Sequence, residues 1–433
     1  VDKMILEKKL INSIEKYKEE AFALNYYLAK NPEISGKEYN SCKKIMEILN
    51  KHKIATKEKF SDIDTSFLGE VIKKENSNIN IAILTEYDAL PEVGHACGHS
   101  ASAAISVLAA LALKDNEEYI NANIDIIGTP DEEDIGMKVT MADKGVFDKY
   151  DCAIMVHLGI KNIPNWKMLA FETYEIEFTG FPAHTAVAPW CGRSALDGLM
   201  LSIHAFDLMR KCTKRNTIIE GFIQEGGSAT NIIPNKAKAK YTFRSDSLKY
   251  LKEEIIPWFK NIIEGCSLAT QTKSKIEIFG NSFSDMNYLK SGTQIIMNVM
   301  KDYGMEYETM DYPEGSSDMG NVSYRCPAFH PSVAITNKNI ALHTKEFADI
   351  VASEKSEPCI INGATVIDGF LARILENSEI LKSIKQEFLK NGFQETSINI
   401  IAQKAGVTTG AIYTRYKGKD ELFCSLMEDF LNR

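Results

Sequence analysis

The sequence predicts an open-sheet α/β domain that carries an inserted ferredoxin-like α+β domain and ends in a short all-α helix-turn-helix. Three observations predict this. Short apolar runs rich in β-branched residues alternate with helical periods, and polar residues gather where each run ends. That is the pattern of an open α/β sheet with its site at the carboxyl ends of the strands. From about Tyr174 the order becomes β-α-β-β-α-β, the ferredoxin-like signature. The last fifty-odd residues hold only short helices separated by Gly-containing turns. The length of 433 residues agrees, since about 150 residues per domain implies roughly three domains.

Taken in order, the first thirty residues read as an amphipathic helix closed by Asn31-Pro32, and a second helix runs from about Lys37 to His52. The period then changes. Ile79–Leu84 (INIAIL) is a buried-strand run that ends in TEYDALPEVGHACGHS, and an Ala/Leu-rich helix follows over about Ala101–Lys114. A second strand, Ile124–Ile127, runs into GTPDEED, and a third, Ala153–Val156, runs into His157. TYEIEFTG then alternates apolar and polar, as a half-exposed strand does. A helix over about Arg193–Lys211 follows, with strands near Thr217–Gln224 and Ala237–Arg244, a helix over Leu248–Glu264 and a strand near Lys275–Phe279. The α/β texture resumes near Leu289 and runs to a long helix from about Lys345 onward. The domains predicted are therefore 1–173 with 289–382, an insert at 174–288, and a tail at 383–433.

Composition narrows the class. Hydrophobic residues make up 44% and charged residues 25%, ordinary globular usage that excludes wholesale disorder and rod architectures. A net charge of -9 excludes a polycation built to coat nucleic acid. The apolar stretch Ala103–Leu113 is too short to span a bilayer, and the charged N-terminus lacks an apolar signal core. No membrane association and a cytoplasmic location are expected. The nine cysteines are scattered without a CxxC pair, which supports neither a disulfide framework nor a zinc ribbon.

Metal-capable groups collect in the strand-end loops: Asp88, His95, Cys97, His99, Glu132, Glu133 and His157, with His343 later in ALHTKEF. Cysteine, imidazole and carboxylate are the donors a borderline-soft divalent ion selects. One histidine near a strand end is usually just a hydrogen-bonded polar residue. Acidic pairs and His/Cys groups at successive strand ends of one sheet point instead to a metal centre.

The segments EYDALPEVGHACGHS, GTPDEED, MVHLG, GFPAHTAVAPW, GGSATNIIPNKA, FRSD, EGSSDMGNVS and HTKEF follow one another between about residues 10 and 385. Together they resemble the M20 metallopeptidases, in the amidohydrolase branch (subfamily D) that holds M20 domain-containing protein 2 and p-aminobenzoyl-glutamate hydrolase. The resemblance implies that Cys97, His99, Glu133, His157 and His343 hold two divalent metal ions, zinc or manganese with cobalt as a third option. Glu132 would be the general base, and Asp88 would orient the CGH segment. In the insert, a lid and dimerisation domain, His184, Asn231 and Arg244 would bind the substrate carboxylate and the developing oxyanion. The implied activity is hydrolysis of an amide bond in a small peptide or N-acyl (aminobenzoyl-type) amino acid by a homodimer. The chain departs from the branch at Ser100, where Asp or Asn usually follows CGH, and at Lys345, where HTKEF replaces HTPEF.

The stretch GFQETSINIIAQKAGVTTGAIYTRYKGKDELF resembles the helix-turn-helix of TetR-type regulators. Thr396 is a good helix N-cap, and Ile398, Ile401, Ala402 and Ala405 share one face. From residue 382 the chain holds eight Lys/Arg against six Asp/Glu. The resemblance implies that Thr408, Thr409 and Tyr413 reach bases or phosphates and that Lys417 and Lys419 contact phosphates. Two readings of the tail stand: DNA binding, or a fusion remnant that packs as an appendage. The alternative function is accordingly a DNA-binding regulator whose peptidase-like domain senses a small metabolite.

Overall fold

The computed structural model describes residues 5–336, 338–395, 408–416 and 421–423. Two compact units are present. One comprises the chain up to Trp166, Asn287–Asp311 and the part from Val322 on, and the other comprises Lys167–Met286 with Tyr312–Asn321.

In the first unit six strands form a mixed sheet in the order Ala55–Glu58, Phe67–Ile72, Asn123–Gly128, Asn80–Thr85, Cys152–Ile154, Ala328–Phe329. The last four run parallel, and the first two join through antiparallel pairings. The strands Ala55–Glu58 and Phe67–Ile72 carry no clear alternation and escape the sequence reading. Beyond the third apolar strand the chain leaves this sheet, and His157–Gly159 pairs with Ser332–Ala334 in a small sheet of its own.

The helix His99–Asp115 is buried along its length from His99 to Leu113. Its alanines and serines keep its surface low enough for neighbours to approach closely. Gly363 marks one such approach, because a Cβ there would lie 2.5 Å from Ile105 Cδ1. The N-terminal helix, Ile5–Lys30, also packs on this core through Leu10, Ile14, Leu24 and Leu28. Its Glu7 is buried and accepts a two-pronged ion pair from Arg373, at 2.9 and 2.8 Å.

The long helix expected from Lys345 onward is three segments: Lys345–Val351, Glu357–Glu376 and Ser378–Glu395. The first break follows from local chemistry. Ser353 caps a new start by accepting from the Lys355 N–H, and Pro358 sits in the next first turn, where its missing N–H is no loss. Residues 354–376 are long and apolar enough to cross a membrane, yet they form a core helix, with Ile360, Ala364, Ile367, Phe370 and Leu371 buried in the main cluster.

The segment Ser378–Glu395 belongs to the same core. Leu381 and Ile384 are buried in it, and Glu387 accepts from the backbone N–H groups of Lys290 and Ser291, capping the helix Lys290–Asp302. Farther on, Thr409–Tyr413 is helical, and Ile412 and Leu422 bury against each other beside Tyr416. The helix expected after Thr396 lies outside the described residues, as do Lys417 and Lys419.

The second unit has four antiparallel strands, Ala170–Thr179, Ile218–Glu225, Lys236–Ser245 and Lys273–Phe283, in the spatial order fourth, first, third, second. Helices Ala195–Arg210 and Leu248–Thr270 cover one face, over a core of Tyr174, Phe206, Tyr241, Phe243 and Phe259. A π turn at Leu251–Ile255 precedes Pro257, whose missing N–H widens the helical register. Residues 312–321 join this unit through backbone bonds from Leu169 to Gly315 and from Glu314 to Lys167. Asn321 adds two more, accepting from the Ser284 N–H and donating to the Ser282 carbonyl.

Candidate dinuclear metal centre

The parallel strands deliver the donors. Asn80–Thr85 ends directly in Glu86, Tyr87 and Asp88, Asn123–Gly128 leads to Asp131, Glu132 and Glu133, and Cys152–Ile154 leads to His157. Four strands ending side by side place these loops together, which periodicity along the chain alone does not reveal.

Cys97 and His99 open the long buried helix. Gly98 between them has φ +93°, and a Cβ there would lie 2.9 Å from Leu158 Cβ. Only glycine turns the chain here and lets the two side chains enter the same cleft. Donor atoms of Cys97, His99 and Glu133 lie within 4.8 Å of one another. Those of Glu86, His99 and His157 do so as well. His343 closes the group from the far side, with Nε2 3.3 Å from Glu133 Oε1 and a backbone N–H that donates to the Ala96 carbonyl. Its φ of +63° is a strained value for a non-glycine residue.

Asp88 is the hub. It is wholly buried; Oδ1 lies 2.8 Å from His99 Nδ1, and Oδ2 accepts from Ser35 Oγ at 2.8 Å and from the Glu133 N–H at 3.1 Å. One carboxylate therefore holds the histidine ligand and the acidic loop together. His157 Nδ1 faces the Leu158 carbonyl at 2.6 Å, and its ring meets those of His99 and His330 edge to face. His330, buried just after strand Ala328–Phe329, was missed by the sequence reading; its signal was a histidine at one more strand end. His95 is buried but outside both donor groups. Ser100 donates to Asn25 Oδ1, and Asn25 donates in turn to the Val351 carbonyl, so Ser100 ties the helix start to the scaffold.

Electrostatics follow the packing. Burial pushes the Cys97 thiol up to about 11 and His330 down to about 3. Burial opposes ionisation of Asp88, Glu86 and Glu133, yet His99 beside Asp88, Lys138 and then His99 beside Glu86, and His343 and then His99 beside Glu133 hold all three below the usual carboxylate range. His99 is raised despite its burial by Cys97, Asp88 and Glu86 around it. Glu86 Oε2 and His99 Nε2 are buried without a hydrogen-bond partner. Orphaned buried imidazole and carboxylate atoms beside the Cys97 thiol fit a divalent cation.

In the second unit, His184 and Asn231 lie in adjoining loops: the Thr185 N–H donates to the Asn231 carbonyl at 3.0 Å, and His184 bridges to Ile232. Both side chains are exposed. Arg244 lies on strand Lys236–Ser245, donates to Glu220 at 2.8 Å and Ser316 Oγ at 2.9 Å, and packs over Phe171. At the tail, Thr408 and Tyr413 are exposed and Thr409 starts the short helix.

Residues 380–426 match the model of the bacterial regulatory proteins of the tetR family. Xaa-Arg dipeptidase of Mus musculus is 29% identical over 332 residues, which cover 75% of this chain and 77% of that protein. One p-aminobenzoyl-glutamate hydrolase polypeptide of Escherichia coli K12 is 29% identical over 44% of each chain. The YXEP protein of Bacillus subtilis, a dinuclear metal binding peptidase of the M20 family, superposes with a TM-score of 0.65 at 18% identity, covering 84% of this chain and 99% of its own. Residues 82–372 match the model of peptidase family M20/M25/M40, and the chain belongs to that family of hydrolases.

Proposed function

We propose that this hydrolase cleaves the amide bond of a small dipeptide or N-acyl amino acid that carries a free carboxylate. One observation carries the reading: donor atoms of Cys97, His99 and Glu133 converge within 4.8 Å, and Glu132 immediately precedes Glu133 in the chain. The similarity to an Xaa-Arg dipeptidase and an aminobenzoyl-glutamate hydrolase supports the substrate class.

Cys97, His99, Glu133, His157 and His343 would hold two divalent ions, zinc or manganese. Such ions, when bound, supply Lewis acidity that activates a water and polarises the amide carbonyl. Glu132 takes the water's proton and returns it to the leaving amine. Asp88 keeps His99 in the tautomer that presents Nε2, as its contact at Nδ1 requires. His184, Asn231 and Arg244 supply donors and positive charge for the substrate carboxylate and the oxyanion. We place the enzyme in the cytoplasm as a homodimer that pairs through the inserted unit.

The test is turnover of dipeptides and N-acyl amino acids alongside metal content. Chelation should abolish turnover, and Glu132→Ala should abolish it with metal still bound. Near-normal turnover by Glu132→Ala would remove the general base. Mixing His184→Ala with Glu132→Ala subunits should restore part of the activity if sites are shared; no recovery after confirmed subunit exchange would refute sharing.

The match to tetR-family regulators favours a second reading for the tail, DNA binding by the dimer through Thr408, Thr409, Tyr413, Lys417 and Lys419. Genomic fragment selection at low salt tests it against a chain ended at Glu395, because Ile384 and Glu387 belong to the peptidase core. Equal retention by both chains would leave the tail an appendage.

A further inference from the structure

Glu86 is an acidic group in the cleft that the five-ligand set leaves without a task. It follows strand Asn80–Thr85 directly and is 1% exposed. Its Oε1 accepts from Lys138 Nζ at 2.5 Å. Its Oε2 lies 3.3 Å from His99 Nε2, yet neither atom forms a hydrogen bond, to the other or to anything else. A donor atom of His157 completes a triangle with them, no side longer than 4.8 Å.

Two unpartnered donors this close, misaligned for a mutual hydrogen bond, both face a third position. Ligands bound to one cation at about 2.0–2.2 Å, with angles of about 90–110°, stand roughly 2.8–3.6 Å apart. The observed 3.3 Å falls in that interval. His99 itself is bracketed by carboxylates. Asp88 contacts Nδ1 at 2.8 Å, which leaves the Nε2 lone pair directed toward Glu86. A carboxylate kept only to neutralise Lys138 has no need to leave its second oxygen orphaned beside two histidines.

We propose that Glu86 Oε2 is a further ligand of the divalent cation held by His99 and His157, with Lys138 as its positioning residue. The proposal rests on the metal reading above. Lys138 occupies Oε1, so Glu86 binds through one oxygen only. The lysine also offsets the negative charge of Glu86, so the pair adds a ligand oxygen without changing the net charge of the centre.

The experiment titrates metal-free full-length protein with Zn²⁺, and separately with Mn²⁺, against a chromophoric chelator. It compares the wild type with Glu86→Gln, Lys138→Met and the double variant, and follows folding by circular dichroism. The wild type should take up two equivalents. Glu86→Gln should bind one of them at least tenfold more weakly, and the double variant should keep that defect although it buries no unpaired charge. Cobalt-loaded Glu86→Gln should also show an altered visible ligand-field spectrum. Wild-type affinity in Glu86→Gln would overturn the proposal. So would wild-type affinity in the double variant, since Glu86 would then serve only to balance Lys138. Failure of the wild type to bind any metal would overturn the metal reading itself, a result distinct from either.

Discussion

Replacing Asp88 by Asn tests the centre's architecture with an almost isosteric change. The carboxylate meets three partners on two oxygens: His99 Nδ1 on one, the Ser35 hydroxyl and the Glu133 N–H on the other. An amide satisfies only one side. If its oxygen faces Glu133 and Ser35, its NH₂ faces His99 Nδ1 and drives the proton to Nε2, the nitrogen that must be bare to ligate. If its oxygen faces His99, its NH₂ opposes the Glu133 N–H, which cannot rotate away. The second arrangement leaves a buried donor unpaired, worth about 1–3 kcal/mol of stability. The first weakens metal binding, and loss of a ligand-orienting carboxylate costs about 10–100-fold in affinity. Asp88→Asn should therefore lose on the order of 1–3 kcal/mol in urea unfolding of the metal-free protein, or at least tenfold in Zn²⁺ affinity by chelator competition. Affinity within threefold of wild type together with an unchanged urea midpoint would refute the hub role.

Three further outcomes are expected. Gly98→Ala forces a left-handed backbone on alanine and sets Cβ 2.9 Å from Leu158, so it should destabilise the fold by about 2–3 kcal/mol and lower metal occupancy; an unchanged melting midpoint would count against it. Arg373→Leu strands the buried Glu7 carboxylate and should cost about 3–5 kcal/mol in chemical denaturation, whereas a loss below about 1 kcal/mol would show the pair to be dispensable. Asp368 is buried with neither oxygen hydrogen-bonded, and burial raises its pKa well above the usual value. The folded state then binds this proton more tightly than the unfolded state, so the group's contribution is fully present below the ordinary aspartate range and is lost as pH rises toward the raised pKa. Asp368→Asn should thus gain stability over wild type at pH 8 and lose that advantage at pH 4; equal differences at both values would refute the assignment.

Much of this protein is legible from local pattern. INIAIL, the runs at 124–127 and 153–156, and the alternation after Tyr174 are short-range signals, and the strands they predict pair in the α/β and ferredoxin-like sheets. Glu133 and His157 stand just beyond strand ends, and His99 opens the helix after the loop that leaves another, because a parallel sheet exposes its chemistry there. Local pattern fails where tertiary contact decides. Ala55–Glu58 and Phe67–Ile72 are strands because the neighbouring edge offers them partners. Residues 312–321 join the second unit through hydrogen bonds to segments well over a hundred positions earlier in the chain. Ser353 and Pro358 break the apolar run after Lys345 into separate helices. Glu86 was the sharpest loss, since an acid at the end of an apolar strand is ordinary in sequence. By itself the sequence determined which donors exist and which strand carries each, because side-chain chemistry and periodicity are properties of neighbouring residues. Only the tertiary structure decided that His99 stands between Asp88 and Glu86, because strand order and helix crossover, not spacing along the chain, set which loops meet.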